Sequence, residues 1–452
     1  MIHQGYPEFV FIPILLIGLF LAYIRPYEAF LFSILLLIGC NRHAFVYTRT
    51  SFLGPYFNLN DACFLIALIA LCFQLSKQKR FLHCPMVLFL IAGVLLIGFS
   101  QSLLRFGWTY ETLRSLRWAV EMPIGIFLGA NMVKKVHHVK NLLLILCLAV
   151  VLSAIQHFWW VYFLVDSMPN YTKGNIHLFR TVSFMSGGIP SALVAAVVVY
   201  MPLLKINKLK IGYMLLAILV SSVLVASIVL NQTRSVYLAI IITIPILICL
   251  FYKRHSKFYL LRLFILILVI SGCAFGLVKL ITNNKSDAII IVKQRLGTLT
   301  KSDPKQAYTS SRINQFKFET KSWLKGSLVF GRGLWFFQDM EPEKKIHSIA
   351  FGHLGYVTYL SQLGLFGLFV YGFYLPYRGI VLSRLVWRNA KDNISEFLAV
   401  FATSAMLFNC IRFTMSESFL SSEGFVATGV LFGAVWGLAK SGHSIPHRNA
   451  LL

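Results

Sequence analysis

Apolar residues in this chain arrive in blocks of about 20, the length a helix needs to cross a bilayer core of about 30 Å. Lipid offers a backbone no hydrogen-bond partners, so blocks of this kind can only be helices that satisfy their own amides. The blocks lie near 8–24, 27–40, 59–76, 85–104, 115–131, 141–164, 187–204, 211–230, 236–252, 260–281, 354–376, 395–413 and 422–439. The second is short and follows Arg25-Pro26, so it reads as a half-helix or a re-entrant piece. The predicted fold is an all-α integral membrane protein with about 12–13 transmembrane helices and one large loop. Composition agrees: 58% of the residues are hydrophobic and 13% charged, with mean hydropathy +0.73. Soluble chains carry about 25% charge, so too little polar surface is present to cover a particle in water. No internal repeat or low-complexity tract is visible. The N-terminal segment MIHQGYPEFVFIPILLIGLF has no basic n-region and no small-residue cleavage site, and is expected to be the first span rather than a removable signal.

Charge sets the expected orientation. There are 42 Lys+Arg against 16 Asp+Glu, a net +26. The basic clusters are Lys77, Lys79 and Arg80; Lys134, Lys135 and Lys140; Lys205, Lys208 and Lys210; Lys253, Arg254, Lys257 and Arg262; and Arg378, Arg384, Arg388 and Lys391. Two spans separate each cluster from the next, so all fall on one side, which the positive-inside rule makes cytoplasmic. The tail with Lys440 and Arg448 joins them. The opposite side carries 41–58, 105–114, 165–186, 231–235, 282–353 and 414–421. The expected organisation is a transmembrane bundle over 1–281, a loop domain over 282–353, transmembrane helices over 354–440 and a cytoplasmic tail over 441–452.

The loop 282–353 is itself basic although it lies outside, and the orientation rule does not account for that excess. An anionic ligand does, and nucleic acid is excluded as a partner for a chain embedded in lipid. Within the loop, Ile313, Phe316, Thr320 and Trp323 share a helical face, with Ser311 expected as N-cap and Arg312 in the first turn. A cation there opposes the helix dipole, which favours a ligand role.

The chemistry-bearing inventory is short. Acids on the outer side are Asp61, Glu111, Asp166, Glu417, Glu423 and those of the long loop. Mid-span regions read as almost free of acids. Among the outer-side residues there is no Asp-x-Asp, His-x-x-x-His or Glu-x-x-His cluster, so no metal or other cofactor is expected. No phosphate-binding Gly-rich loop and no Gly-x-Ser-x-Gly elbow occurs. Eight cysteines are scattered. Most, including Cys63, Cys72, Cys147, Cys249, Cys273 and Cys410, sit inside apolar blocks as small buried residues.

What remains is arginine and histidine. Arg234 in NQTRSVYLA stands at the outer start of a span, where an arginine is costly unless paired or wet. Snorkelling to the headgroups is the alternative, but an outward arginine also goes against the positive-inside bias, and position favours a functional role. Arg312 in SSRINQFKFETKSWL is either a ligand or part of a solvated face. His353 stands at the entrance of the span after the loop; a helix-start histidine is often structural, but one near its unperturbed pKa of about 6.5 suits a general base. His347 competes for the same role.

Taken in order, these segments resemble the O-antigen ligase and polymerase superfamily of bacterial envelope glycosyltransferases. Thr233-Arg234-Ser235 resembles the family's motif at a span entrance. Arg312, Trp323 and Gly331-Arg332-Gly333 with Phe336 or Phe337 resemble its loop pattern. His353, Tyr356, Gly364, Leu365, Phe366, Gly367 and Leu368 resemble its closing pattern at the family spacing. Two positions depart: Leu354 stands where the family usually has Asn after the histidine, and Gln362 where an acid is common. The first departure keeps His347, followed by Ser348, as an alternative, although the distance to Gly364 and Gly367 favours His353. By motif the resemblance covers roughly residues 185–375.

The resemblance implies a metal-independent, inverting transfer at the periplasmic face of the inner membrane. The donor would be a glycan on undecaprenyl pyrophosphate, and the acceptor a sugar hydroxyl on lipid A–core or on another lipid-linked repeat. Membrane lipids would be the other partners. Arg234 and Arg312 would hold the pyrophosphate, Arg332, His347 and Tyr356 would bind substrate, and His353 would orient or deprotonate the acceptor. Ligase and polymerase both remain open, with a lean to polymerase. A lipid-linked oligosaccharide flippase or other transporter is the alternative outside the class, opposed by the absence of repeats.

Overall fold

The computed structural model describes residues 8–39, 59–78, 82–108, 110–166, 188–204, 211–231, 234–251, 258–282, 307–334, 354–414 and 425–440. Among these the chain is mostly helical, with no strand beyond an isolated bridge between Ser327 and Gly331. The helices are α1 (Glu8–Ile24), α2 (Pro26–Gly39), α3 (Leu59–Gln78), α4 (Met86–Phe106), α5 (Tyr110–Met132), α6 (Val136–Asp166), α7 (Ile189–Tyr200), α8 (Ile211–Asn231), α9 (Arg234–Phe251) and α10 (Tyr259–Ile281). There follow α11 (Ala307–Leu324), α12 (Gly355–Gly367), a π-helical stretch (Leu368–Tyr374), α13 (Leu375–Asn389), α14 (Asn393–Phe413) and α15 (Val426–Lys440). Six helical segments are long and apolar enough to cross a membrane, and six shorter apolar helices accompany them. The protein is an all-α, multi-pass membrane protein.

Each expected span holds a helix. The largest departure is the block 354–376, expected as one span. It breaks at Gly364 (φ 68°) and continues through the π-helical stretch into α13, so the helical run extends over Gly355–Asn389, its last part carrying Arg378, Arg384 and Arg388.

The most intimate helix pair is α5 with α15. Gly125 and Gly129 on one helix face Gly429, Gly433 and Gly437 on the other. A Cβ at any of them would run into the backbone of the opposite helix: Gly125 and Gly129 meet the carbonyls of Val426 and Val430, while Gly429 and Gly433 meet those of Met122 and Ile126. Small residues at a four-residue spacing let two helices touch main chain to main chain, where dispersion replaces the hydrophobic drive that lipid cannot supply.

Polar contacts mark the two ends of the bundle. At one end Lys77 Nζ donates to the Ile24 carbonyl at 3.2 Å, closing the end of α1. At the same end the backbone of His83 exchanges hydrogen bonds with the Asn131 side chain (2.9 and 2.7 Å), and its ring meets Trp436 Nε1 (3.1 Å) and Lys440 Nζ (2.9 Å). Asp392 caps α14 by accepting from the amides of Ile394 and Ser395. The candidate residues lie towards the other end.

Candidate functional site

Arg234 is the first residue of α9, and the next residue, Ser235, is buried. Arg312 lies on α11, which begins at Ala307. That start corrects two expectations. Ser311 stands inside the helix and is not its N-cap, and Arg312 falls in the second turn, where the dipole argument weakens. His347 and His353 lie outside the described residues. The described chain resumes at Leu354, one residue after His353.

The face by which α11 docks is polar. Phe316, on the expected apolar face, is 51% exposed, whereas Glu319 is fully buried and Ser322 nearly so. The helix docks on α12 with a polar residue at its centre: the Glu319 carboxylate lies 3.2 Å from Thr358 Oγ1 and 3.4 Å from Ser361 Oγ. Each hydroxyl has one proton to place. Thr358 can give it to Glu319 or to the Leu354 carbonyl (3.1 Å), and Ser361 to Glu319 or to the Thr358 carbonyl (3.1 Å). Arg312 precedes Glu319 by seven residues, two helical turns, so their Cα positions share one face of α11. The register thus turns the Arg312 position towards the helix that begins just after His353.

After α11 the chain makes a tight turn and wedges into the break in α12. Ser327 and Gly331 exchange backbone hydrogen bonds (3.1 and 2.7 Å), and the Trp323 indole N–H donates to the Leu328 carbonyl at 3.0 Å. The turn then pairs with the broken helix main chain to main chain: Arg332 N to Ser361 O (3.0 Å), Gly333 N to Gln362 O (2.9 Å), Leu365 N to Leu328 O and Phe366 N to Val329 O (both 3.0 Å). The break at Gly364 frees amides that an intact helix would use, and the turn accepts from them. Three glycines allow this. Gly331 (φ 71°) would place a Cβ 2.5 Å from Gln362, Gly333 (φ 107°) 2.6 Å from Ser102 Oγ, and Gly364 (φ 68°) 2.5 Å from the Phe330 amide. Both the left-handed backbone and the close approach exclude a side chain there. The Gly-x-Gly segment and the Gly364 motif, far apart in sequence, are therefore two halves of one interlock.

The start of α12 is anchored on α14. Gly355 packs on Phe413, and the Tyr356 hydroxyl donates to the Cys410 carbonyl at 3.0 Å. Arg332 is half-buried, and its carbonyl accepts from Arg105 Nη1 at 3.2 Å.

The sequence reading passed over several polar residues that the bundle buries towards this end. Arg412, in the last turn of α14, is 1% exposed, and Glu121, inside α5, is 2% exposed. Arg117 on the same helix pairs with Asp61 of α3 at 3.1 Å. A charge inside an apolar block was the signal that could have found Arg412 and Glu121. Nothing in the one-dimensional pattern distinguishes Glu319 from the other acids of the loop.

The description "O-Antigen ligase" belongs to a family model that matches residues 219–372 of this chain, from within α8 to the π-helical stretch. The match is to the O-antigen ligase and polymerase superfamily, and it supports a glycosyltransferase of that type. Arg234, Arg312, Arg332, His347, His353 and Tyr356 all fall inside the matched range. No curated protein matches the chain.

Proposed function

We propose, from the premise that residues 219–372 match the O-antigen ligase family, that this protein moves a glycan from undecaprenyl pyrophosphate to a sugar hydroxyl at the periplasmic face of the bacterial inner membrane. The observation that carries the reading is the interlock: it joins α11, which holds Arg312, to α12, which begins at the His353 end. A transferase that uses no metal must neutralise a pyrophosphate leaving group with cations held in fixed geometry, and guanidinium groups do so by paired, charge-assisted hydrogen bonds.

In the proposed step the acceptor hydroxyl oxygen attacks the anomeric carbon of the donor glycan from the face opposite the pyrophosphate. The new glycosidic bond forms as the bond to the pyrophosphate oxygen breaks, and the electron pair leaves with undecaprenyl pyrophosphate. The configuration inverts. His353 takes the hydroxyl proton or orients the hydroxyl, with His347 as the alternative. Arg234 and Arg312 meet the growing charge on the leaving group. Arg332, from the turn, and Tyr356, whose hydroxyl donates to the Cys410 carbonyl, bind the substrate. Sidedness follows from the basic clusters, which the positive-inside rule assigns to the cytoplasm.

The test is deletion of the gene in its own host with the envelope polysaccharide run on a gel, complemented by wild type, Arg234→Ala, Arg312→Ala and His353→Ala at equal expression. Loss of long chains with single repeats still capping lipid A–core identifies a polymerase, the outcome expected here. Loss of all capping, with long chains accumulating on the lipid carrier, identifies a ligase. An unchanged surface glycan overturns the lipopolysaccharide assignment, and wild-type activity in one variant removes that residue from the step.

A further inference from the structure

We propose that the turn after α11 is a re-entrant wedge whose tip, Leu328-Val329-Phe330, docks among the acyl chains of the leaflet at that end of the bundle. Contacts with two helices fix its level. The Leu334 amide donates to the Gly98 carbonyl of α4 at 3.3 Å, and a Cβ at Gly98 would meet both Leu334 and Leu363 of α12. Gly98 lies seven residues inside Arg105, the end of the crossing segment of α4. At 1.5 Å per residue that is about 10 Å below the end. Leu363 lies eight residues inside Gly355, which packs on Phe413 at the end of the crossing segment of α14. The same rise puts Leu363 about 12 Å down. The tip pairs with Leu365 and Phe366, further in still. Measured along either helix, the turn reaches about a third of the way through a hydrocarbon core of about 30 Å. The sequence pattern alone assigns 282–353 to a loop domain outside the bilayer.

Irregular backbone survives at such depth only where its polar groups are paired within the protein. The break at Gly364 meets that demand. It releases the Leu365 and Phe366 amides, which bond the Leu328 and Val329 carbonyls. The Trp323 indole adds a second bond to the Leu328 carbonyl, and the Phe330 amide bonds Ser327 Oγ at 3.1 Å. With the backbone satisfied, the tip presents only apolar side chains. Leu328 is 49% exposed and Val329 50%. Phe330 meets Phe366 edge to face, with ring centroids 6.2 Å apart. Leu365, Phe369 and Phe373, all exposed and four residues apart, continue this surface down the broken helix. A face continuous with the outside of a span is covered by what covers the span, the acyl chains of lipid. Lys321 and Lys325, exposed on α11 just before the tip, suit the headgroups above, which their long stems can reach. The wedge does not depend on the transfer reading, and its test reads contact with lipid.

The experiment places the full chain in nanodiscs of phosphatidylethanolamine and phosphatidylglycerol, with the photocrosslinker p-benzoylphenylalanine in place of Val329 or, separately, Leu328. The same group at Leu268, exposed on the outer face of α10, marks a lipid-facing position, and at Lys391, exposed between α13 and α14, a position outside the core. Gel filtration before illumination confirms folding, and each tip position is read by itself, so either one decides. Mass spectrometry then measures the yield of phospholipid adduct and the carbon to which it is attached. Both tip positions should match Leu268 and exceed Lys391 at least about tenfold, with attachment on acyl carbons, as for groups held inside hydrocarbon. A yield no higher than that at Lys391 overturns the proposal. So does attachment to headgroup or glycerol alone, which would place the tip at the surface. A crosslink to another part of the chain, or to a second copy, would show that protein covers the tip and overturns it as well.

Discussion

The α5–α15 pair and the α11–α12 pair solve the same problem, holding two helices together, in opposite ways. The first is apolar and steric: glycines on both helices let the backbones touch, and no polar bond is needed between them. The second is polar and directional: a buried carboxylate, two hydroxyls and four backbone bonds join a turn to a broken helix. Lipid rewards the first with close packing and tolerates the second only where irregular backbone is covered by protein. The proposed site is drawn at the polar pair, which joins the Arg312 helix to the one that begins after His353. It also falls inside the family match, whereas α5 and α15 lie outside it.

The comparison breaks most readily at the steric pair. Gly429→Leu drives a side chain into the α5 main chain at Met122 and Ile126, and overpacking of this kind costs about 3 kcal/mol or more. The expected outcome is loss of a monodisperse gel-filtration peak. A well-folded variant would show that the two helices can separate without loss of the bundle.

At the polar pair, Gly364→Ala combines left-handed strain of about 1–2 kcal/mol with a Cβ against the Phe330 amide. Surface polysaccharide formation should fall at least about tenfold, since 1.4 kcal/mol is a factor of ten, while the protein still elutes as a folded particle. Equal loss of folding and activity would erase the division between the two pairs.

Glu319 tests the same interface more gently. Glu319→Ala leaves the Thr358 and Ser361 hydroxyls without their carboxylate and should lower thermal stability by about 1–3 kcal/mol. Glu319→Gln keeps an acceptor oxygen and should lose less. An equal loss in Gln and in Ala would mean that the negative charge, rather than the hydrogen bonds, holds α11 in place.

The smallest effect is at the opposite end of the bundle. Burial, then the charges of Lys440 and Lys134, hold His83 below its ordinary 6.5. A protonated ring would also face the Trp436 N–H and the Lys440 ammonium with no lone pair for either. A lowered folded value means that the unfolded chain binds more protons. The stabilising contribution is complete above 6.5 and is lost as pH falls through the folded value. Melting temperature should therefore drop as pH falls below 6.5, and His83→Gln should flatten that part of the profile.

The membrane class and the positions of the helices were legible because each follows from local physics. An apolar block of about 20 residues has one low-energy answer in lipid, and block length reports it directly. The order of Arg234, Arg312, Trp323, Gly331, Gly333 and Gly364 was also readable, as a family resemblance. What the glycines do was not. Gly331 and Gly364 are 33 positions apart, and only the fold sets one against the other, main chain to main chain. The buried face of α11 was not legible for the same reason: α12 presents Thr358 and Ser361, so Glu319 turns in and Phe316 stays out. Sequence by itself determined which segments cross the membrane, because that depends on each segment's own transfer from water. The tertiary structure alone decided which polar residues share a site, because that depends on partners brought together from distant parts of the chain.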